Sequence, residues 1–91
     1  MDKRVNVMGG EDFKNTGMFF YCTCDDIQSM DKNEILYWFG DAKKFTLMNG
    51  NEFPIMAIEP MISFTGIGTA LIKVNTNAIP TGIYPTTAII E

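Results

Sequence analysis

Short runs of alternating or fully apolar residues, separated by turn-forming residues, extend along most of the chain. "KRVNVM" (3–8) ends at two glycines, and "GMFFYCTC" (17–24) ends at Asp25-Asp26. Runs of this length, rich in β-branched and aromatic residues and bounded by turn formers, are typical of strands. We therefore predict a chain built mainly of short β-strands.

The middle of the chain contains a hairpin signal. "KKFTLM" and "NEFPIMAI" flank Asn49-Gly50. Asn-Gly favours a type I′ turn, in which both central residues have positive φ and the flanking strands pair directly. The two runs are therefore predicted to form a β-hairpin.

The second half of the chain repeats this punctuation. Pro60 is expected to break the run before "MISF", and Gly66 and Gly68 to turn the chain. "TALIKVNT" (69–76) alternates, and a closing strand is expected at about 82–91. Seven or eight short strands at intervals near ten residues indicate an antiparallel sandwich or small barrel, and we expect residues 1–91 to form one domain.

Residues 31–39 fit two structures. Asp31 and Glu34 have the spacing of a helix capping box, and Gly40 could end a helix. Ile35 to Phe39, however, are five consecutive apolar residues without helical spacing. We predict a strand preceded by a short turn, with a short helix near 31–39 as the alternative.

Several predicted strands are apolar on both faces, although a half-exposed strand should alternate. "MFFYC" (18–22), "ILYWF" (35–39) and "FPIMAI" (53–58) lack this alternation. Either loops and the N-terminal arm cover the second face, or a partner protein does, and the seven methionines suit an adaptable interface. The predicted interface residues are Phe19, Tyr21, Trp38, Phe53, Met56 and Met61.

Two prolines mark positions where strand pairing should be irregular. Pro54 and Pro85 have no N–H to donate to a ladder, so their strands are predicted to be edges or to be bulged there. Unprotected edges recruit other chains. Edge strands are therefore a second expected route to a partner.

Composition and charge narrow the class of protein. Hydrophobic residues make up 46% of the chain and charged residues 20%, which fits a globular domain. The formal net charge of −4 disfavours nucleic-acid binding, which needs a Lys/Arg patch. No secretory h-region and no apolar stretch of about 20 residues is present, so we expect synthesis in a cytoplasm and no membrane partner.

Catalytic chemistry is not indicated. The chain has no histidine, which removes the commonest general base and metal ligand. Cys22 and Cys24 lie two residues apart, poorly placed for a disulfide or a zinc site, and are expected to be reduced core residues. "MGGED" (8–12) and "TGIGT" (65–69) match neither phosphate-binding loop nor dinucleotide fingerprint. We expect no enzyme activity, cofactor or metal.

The C-terminal third resembles a known family. "GTALIKVNTNAIPTGIYPTTAIIE" is similar to the last two strands of bacterial and bacteriophage immunoglobulin-like modules, which often contain a proline–x–glycine–x–tyrosine turn. The resemblance implies an immunoglobulin-like β-sandwich, with Gly82 supplying the turn and Tyr84 anchoring it as structural residues. Pro85 departs from the usual threonine after the tyrosine, which puts regular pairing there in doubt.

Among such proteins, small chains of this kind look most like head auxiliary, decoration or connector proteins of tailed bacteriophages. The resemblance therefore implies a non-enzymatic structural protein of the virion, assembled after synthesis in the host cytoplasm. It would bind capsid or tail subunits, or its own copies, in an oligomeric assembly through edge strands and apolar surface. A small acidic inhibitor of a host protein, cytoplasmic in location, is the first alternative. A carbohydrate-binding module using Trp38, Tyr37 and Tyr21 is the second.

Overall fold

The structure is a computed structural model that describes residues 3–12, 17–75 and 86–91. Six strands and one helix occupy these residues. In chain order they are β1 (Lys3–Asp12), β2 (Met18–Thr23), α1 (Lys32–Phe39), β3 (Lys44–Leu47), β4 (Glu52–Ile62), β5 (Gly68–Val74) and β6 (Thr86–Ile90).

The six strands close into one antiparallel barrel in the order β1-β2-β5-β4-β3-β6. Closure depends on β6, which pairs on one side with β1, Lys3 opposite Ile90, and on the other with β3, Phe45 opposite Ile90. The all-β prediction is confirmed. The described strands form a single six-stranded barrel, because the last strand joins the two sides of the sheet. Of the two architectures that the strand spacing indicated, this is the small barrel and not the seven- or eight-stranded immunoglobulin-like sandwich implied by the resemblance.

The interior of the barrel is filled by alternate residues of the strands. In β5, Ala70, Ile72 and Val74 are buried, as their spacing predicted. At the centre the rings of Phe20 and Phe45 stack with their centroids 5.0 Å apart. Burial of such side chains is the main stabilising term, at roughly 1.5–3 kcal/mol for each large apolar side chain.

Two β-bulges bend the long strands. The first interrupts the pairing of β1 with β2 between Val7 and Gly9, and the second that of β4 with β5 between Ile55 and Ala57. The prediction that the first strand ends at Gly9-Gly10 was therefore wrong: the strand continues through a bulge to Asp12. An extra residue on one strand increases local bend and twist, which a small closed barrel requires.

The sheet accommodates Pro54 and Pro60 of β4 because each ring nitrogen faces a position where the strand needs no backbone N–H donor. The Ile55 N–H donates to the Lys43 carbonyl oxygen (2.8 Å), so the Pro54 nitrogen points away from β3, toward β5, whose pairing with β4 begins only at Ile55. Pro60 lies opposite Ala70, with its nitrogen directed away from β5. Pro60 therefore does not break the strand, contrary to the prediction, and Pro54 lies beside a bulge, as predicted.

Residues 32–39 form helix α1 rather than the strand that we preferred. Both halves of the capping box are present: the Glu34 N–H donates to Asp31 Oδ1 (2.8 Å) and the Asp31 N–H donates to Glu34 Oε1 (3.3 Å). At the other end Gly40 has φ 58° and donates its N–H to the Leu36 carbonyl oxygen (3.0 Å). The caps outweigh the strand preference of the apolar run because they satisfy backbone groups that the helix ends would otherwise leave unpaired.

The predicted hairpin at Asn49-Gly50 is present with a longer loop than a type I′ turn. Leu47 accepts from the Gly50 N–H (2.9 Å) and donates to the Asn51 carbonyl oxygen (2.9 Å), so three residues form the loop. Gly50 has φ 93°. This is the pattern of a turn followed by a positive-φ residue, which glycine adopts without strain.

The predicted C-terminal anchor residues, Gly82 and Tyr84, and the predicted edge at Pro85 lie outside the described residues. Of the stretch that carries the family resemblance, β5 and β6 are described. They are not neighbours in the barrel, since β5 lies between β2 and β4 whereas β6 lies between β1 and β3.

Candidate functional site

One end of the barrel is closed by the helix. The antiparallel register brings the start of β1, the end of β2, the end of β4 and the start of β5 to this end, and α1 connects β2 to β3 there. Gly68 fixes the connection, because its N–H donates to the Gln28 carbonyl oxygen (2.9 Å) and its carbonyl oxygen accepts from Thr23 Oγ1 (2.9 Å). We call this the helix end.

The helix end exposes large apolar side chains. Of the nine large hydrophobic residues that are exposed among the described ones, five lie on α1 or within residues 62–67 at the tip of the β4–β5 hairpin. We call them the helix-end surface: Leu36, Tyr37, Ile62, Phe64 and Ile67. Single exposed hydrophobics are ordinary, whereas several grouped at one end indicate a contact region.

Helical periodicity decides which aromatic residues of α1 face outward. Ile35 and Phe39, four residues apart, are buried in the core. Tyr37 lies on the opposite side and is 89% exposed. Trp38 lies at the flank, half-buried, with its ring edge-on to that of Phe39 at 5.0 Å. The apolar run 35–39 therefore contributes two residues to the core and exposes others to solvent.

Phe64 is the most exposed aromatic residue described and is fully open to solvent. It occupies the first loop position of the β4–β5 hairpin, where Ser63 accepts from the Gly66 N–H (2.9 Å) and donates to the Ile67 carbonyl oxygen (2.8 Å). A ring in this position buries almost no area against its own chain, so it contributes little to folding.

A groove lies between α1 and the start of β1, with a volume of about 430 Å³. It is lined by Lys3, Met30, Asn33, Glu34, Tyr37 and Trp38. The Lys3 ammonium lies 4.7 Å from the centroid of the Trp38 ring and donates to the Trp38 carbonyl oxygen. This cation–π and hydrogen-bond pair holds β1 against the helix and orients the indole.

The structure does not gather the predicted interface residues into one patch. Trp38 lines the groove at the helix end. Phe53 is directed inward and packs on the core, with its ring centroid 6.4 Å from that of Phe20. Met56 is the extra residue of the β4 bulge and is 54% exposed, and Met61 is half-buried opposite Thr69 near the helix end.

Phe19 and Tyr21 lie on the outer face of β2. The Tyr21 hydroxyl donates to Glu11 Oε2, and this hydrogen bond to a carboxylate raises the pKa of Tyr21 above its usual value. Lys73 lies opposite Phe19, with its ammonium 5.8 Å from the ring centroid. Both aromatic rings are thus engaged by charged neighbours on adjacent strands.

Sequence reasoning missed the helix-end surface. The signal for Tyr37 was present: if the capping box sets the helix, residue 37 must face away from Ile35. The signal for Phe64 was an aromatic residue directly before a polar residue and a turn glycine. Loop tips usually carry small or polar residues, so a large ring there is informative.

The thiols offer no reactive centre. Cys22 and Cys24 are free and buried, as predicted. Burial raises the pKa of both thiols, which keeps them in the poorly nucleophilic protonated form. Across the described ranges, no group of three or more His, Cys, Asp or Glu side chains is placed to hold a metal ion.

Within residues 3–12, 17–75 and 86–91, no helix has the length and apolar character needed to cross a membrane. Comparison of the chain with protein-family models, curated proteins and solved structures found no match.

Proposed function

We propose that the chain is a non-enzymatic structural protein that binds another protein through the helix-end surface, as a component of a virion. The observation that carries the proposal is the concentration of exposed apolar side chains at one end of the barrel, with Phe64 at a hairpin tip. Large apolar groups held in water at one place are typical of protein contact sites. A partner that covered them would gain roughly 25 cal/mol for each Å² removed from water.

The surface supports an anchor-type contact. Phe64 and Tyr37 project from a tight hairpin and from a capped helix, so their backbones are already ordered before binding. Ordered aromatic side chains lose little conformational entropy on association and are enriched among residues that dominate binding energy. The helix-end surface is thus better placed to bind than the outer face of β2, where Tyr21 is engaged by Glu11.

The proposed location in a virion is based on the resemblance of the C-terminal third to immunoglobulin-like modules of bacteriophages, and membership of that family is itself proposed. The barrel changes the expected mode of contact. β2 and β5 are paired on both sides over most of their length, whereas β1 beyond Val7 and β4 beyond Ile55 pair with a described strand on one side only. Pro60 removes one backbone donor from β4, and the exposed apolar side chains are gathered at the helix end. Apolar surface, rather than edge-strand pairing, is the route that we propose.

Copurification from the native source tests the proposal. Mass spectrometry of purified particles should recover the chain in many copies at a fixed ratio to the main shell or tail subunit. Cross-links from Lys32, which lies on α1, should then reach a partner subunit, whereas those from Lys73, on the barrel wall, should be fewer. A chain that stays a monodisperse monomer and is absent from particles would refute the virion assignment, and recovery with one host enzyme would favour an inhibitor.

A second function has a specific observation in its favour. Tyr37 and Trp38, two of the three residues expected for a carbohydrate module, line the same groove together with the polar groups of Asn33, Glu34 and Lys3. Aromatic faces with a few convergent polar groups are typical of small-molecule sites. A glycan array gives the test: signal lost in Tyr37→Ala but kept in Phe64→Ala would support it, and no signal with the unmodified protein would exclude it.

A further inference from the structure

The segment that connects β2 to β3 at the helix end is acidic. Residues 25–41 contain five of the eleven carboxylates and one of the seven basic residues, Lys32. This segment therefore has a formal charge of −4, and Lys3, which contacts Trp38 at the same end, offsets one of these charges. Its carboxylates are all exposed: Asp25, Asp26, Asp31, Glu34 and Asp41.

The acidic segment and the helix-end surface share one end of the barrel. Residues 25–41 run from the end of β2, through α1, to the start of β3, and the β4–β5 hairpin is joined to them through the hydrogen bond of Gly68 to Gln28. Exposed carboxylates and apolar side chains therefore share this end of the barrel, and Glu34 lines the same groove as Tyr37. A charge of one sign on one face produces a directional field that steers oppositely charged partners.

We propose that the partner bound at the helix end presents an apolar patch bordered by lysine and arginine, and that it is not a second copy of this chain. The inference rests on the proposed protein-binding function and specifies its partner. Two helix ends facing each other would bring two acidic segments together, and like-charge juxtaposition disfavours association. A basic rim would instead satisfy the carboxylates around the buried apolar centre.

A pair of designed peptides tests the charge rule directly. The first is an amphipathic helical peptide of leucine and lysine, and the second is the same peptide with glutamate in place of each lysine. Backbone amide shifts in two-dimensional NMR should move at Tyr37 and Phe64 with the lysine peptide at about 20 mM salt. The glutamate peptide should bind at least about tenfold more weakly, and raising the salt to about 0.5 M should reduce the difference, because screening shortens the range of the interaction.

Matched charge variants separate the local rim from overall acidity. Asp25→Asn with Asp26→Asn removes two charges at the helix end, and Glu11→Gln with Glu52→Gln removes two charges near the other end of the barrel. The first pair should weaken binding of the lysine peptide by about three- to tenfold, and the second by less than about twofold. All four side chains are exposed, and circular dichroism checks that each variant is folded.

The outcomes distinguish this inference from the proposed function. Equal binding of both peptides at Tyr37 and Phe64 would overturn the charge rule while leaving a protein-binding helix end in place. Equal loss in the two charge-variant pairs would also overturn it, since overall acidity would then explain the affinity. Sedimentation at low salt that showed a dimer abolished by Phe64→Ser would contradict the exclusion of a second copy.

Discussion

The two described hairpins, β3–β4 and β4–β5, have the same loop hydrogen bonds but lie in different surroundings. In the β3–β4 hairpin, Leu47 bonds to Gly50 and Asn51, and in the β4–β5 hairpin Ser63 bonds to Gly66 and Ile67, with matching hydrogen bonds. The first hairpin stands at the barrel end opposite the helix, and the second packs beside the turn that leads into α1.

Both loops leave the N–H of the fifth residue without a backbone partner, and a side chain supplies one in each. The Asn51 N–H donates to Asn49 Oδ1 (3.0 Å), and the Ile67 N–H donates to Ser63 Oγ (3.0 Å). The loop geometry therefore demands an oxygen and a positive-φ glycine, and is indifferent to the first loop residue. Met48 and Phe64 occupy that position, so the turn itself does not explain the exposed ring of Phe64.

The largest difference in stability between variants of the two hairpins should come from Gly68, which follows the loop of the β4–β5 hairpin. A Cβ on Gly68 would overlap the Ile27 carbonyl oxygen and lie 3.0 Å from Ile35 Cδ1. We expect Gly68→Ala to lower the free energy of unfolding by about 3 kcal/mol, because backbone atoms must move. Urea denaturation measures this, with Gly9→Ala, where a Cβ meets nothing within 4 Å, as the control. Equal small losses would mean that the turn at 27–28 yields easily.

The turn glycines should be equivalent. Gly50 and Gly66 have φ of 93° and 83°, and a Cβ at either meets nothing within 4 Å. Gly50→Ala and Gly66→Ala should each cost about 1–2 kcal/mol, the penalty of a positive φ for an L-residue. Thermal or chemical unfolding of both variants tests the equivalence, and costs that differ by more than about 1 kcal/mol would show that the surroundings, rather than the loop, set the penalty.

The side-chain oxygens should matter less than the glycines. Asn49→Ala and Ser63→Ala each remove the acceptor of one loop N–H, which water can replace because both loops are exposed. We expect each to cost about 0.5–1 kcal/mol in unfolding free energy. Amide hydrogen exchange at Asn51 and Ile67 should accelerate in the corresponding variant only, and unchanged exchange would rule out these bonds in solution.

The first loop residues should have the smallest effect on stability. Phe64→Ser and Met48→Ser change exposed side chains and should each shift the unfolding free energy by less than about 0.5 kcal/mol. The two variants should differ instead in how strongly they bind the partner. Phe64→Ser should reduce recovery with particles strongly, whereas Met48→Ser, at the opposite end, should not. A loss above about 1.5 kcal/mol for Phe64→Ser would mean that the ring serves the fold instead.

The hairpins also show which parts of the fold the sequence could predict. Gly50 and Gly66 mark their turns because positive φ is a local demand, and the box of Asp31 and Glu34 predicted the helix that we ranked second. We gave the five apolar residues 35–39 more weight than these caps. Their burial is divided between core, flank and solvent, which no period-2 or all-apolar pattern describes.

Barrel closure could not be predicted in the same way. It depends on Ile90 pairing with Lys3 and with Phe45, contacts that join distant parts of the chain and leave no local signature. The bulges at Met8 and Met56 likewise follow from the curvature that closure imposes. For the site, exposure of Phe64 depends on what the barrel leaves uncovered, so composition alone could not locate it.

The pairing of β1 with β6 has a mechanical consequence. Lys3 lies opposite Ile90 and Val7 opposite Thr86, so the first residue of one strand is joined to the last of the other. A force that pulled the two ends of the chain apart would load these hydrogen bonds one pair at a time, from Lys3 inward, as a zip opens. A barrel tethered by both ends should therefore open at low force, whereas one held through the helix end and the opposite hairpin would resist along its strands.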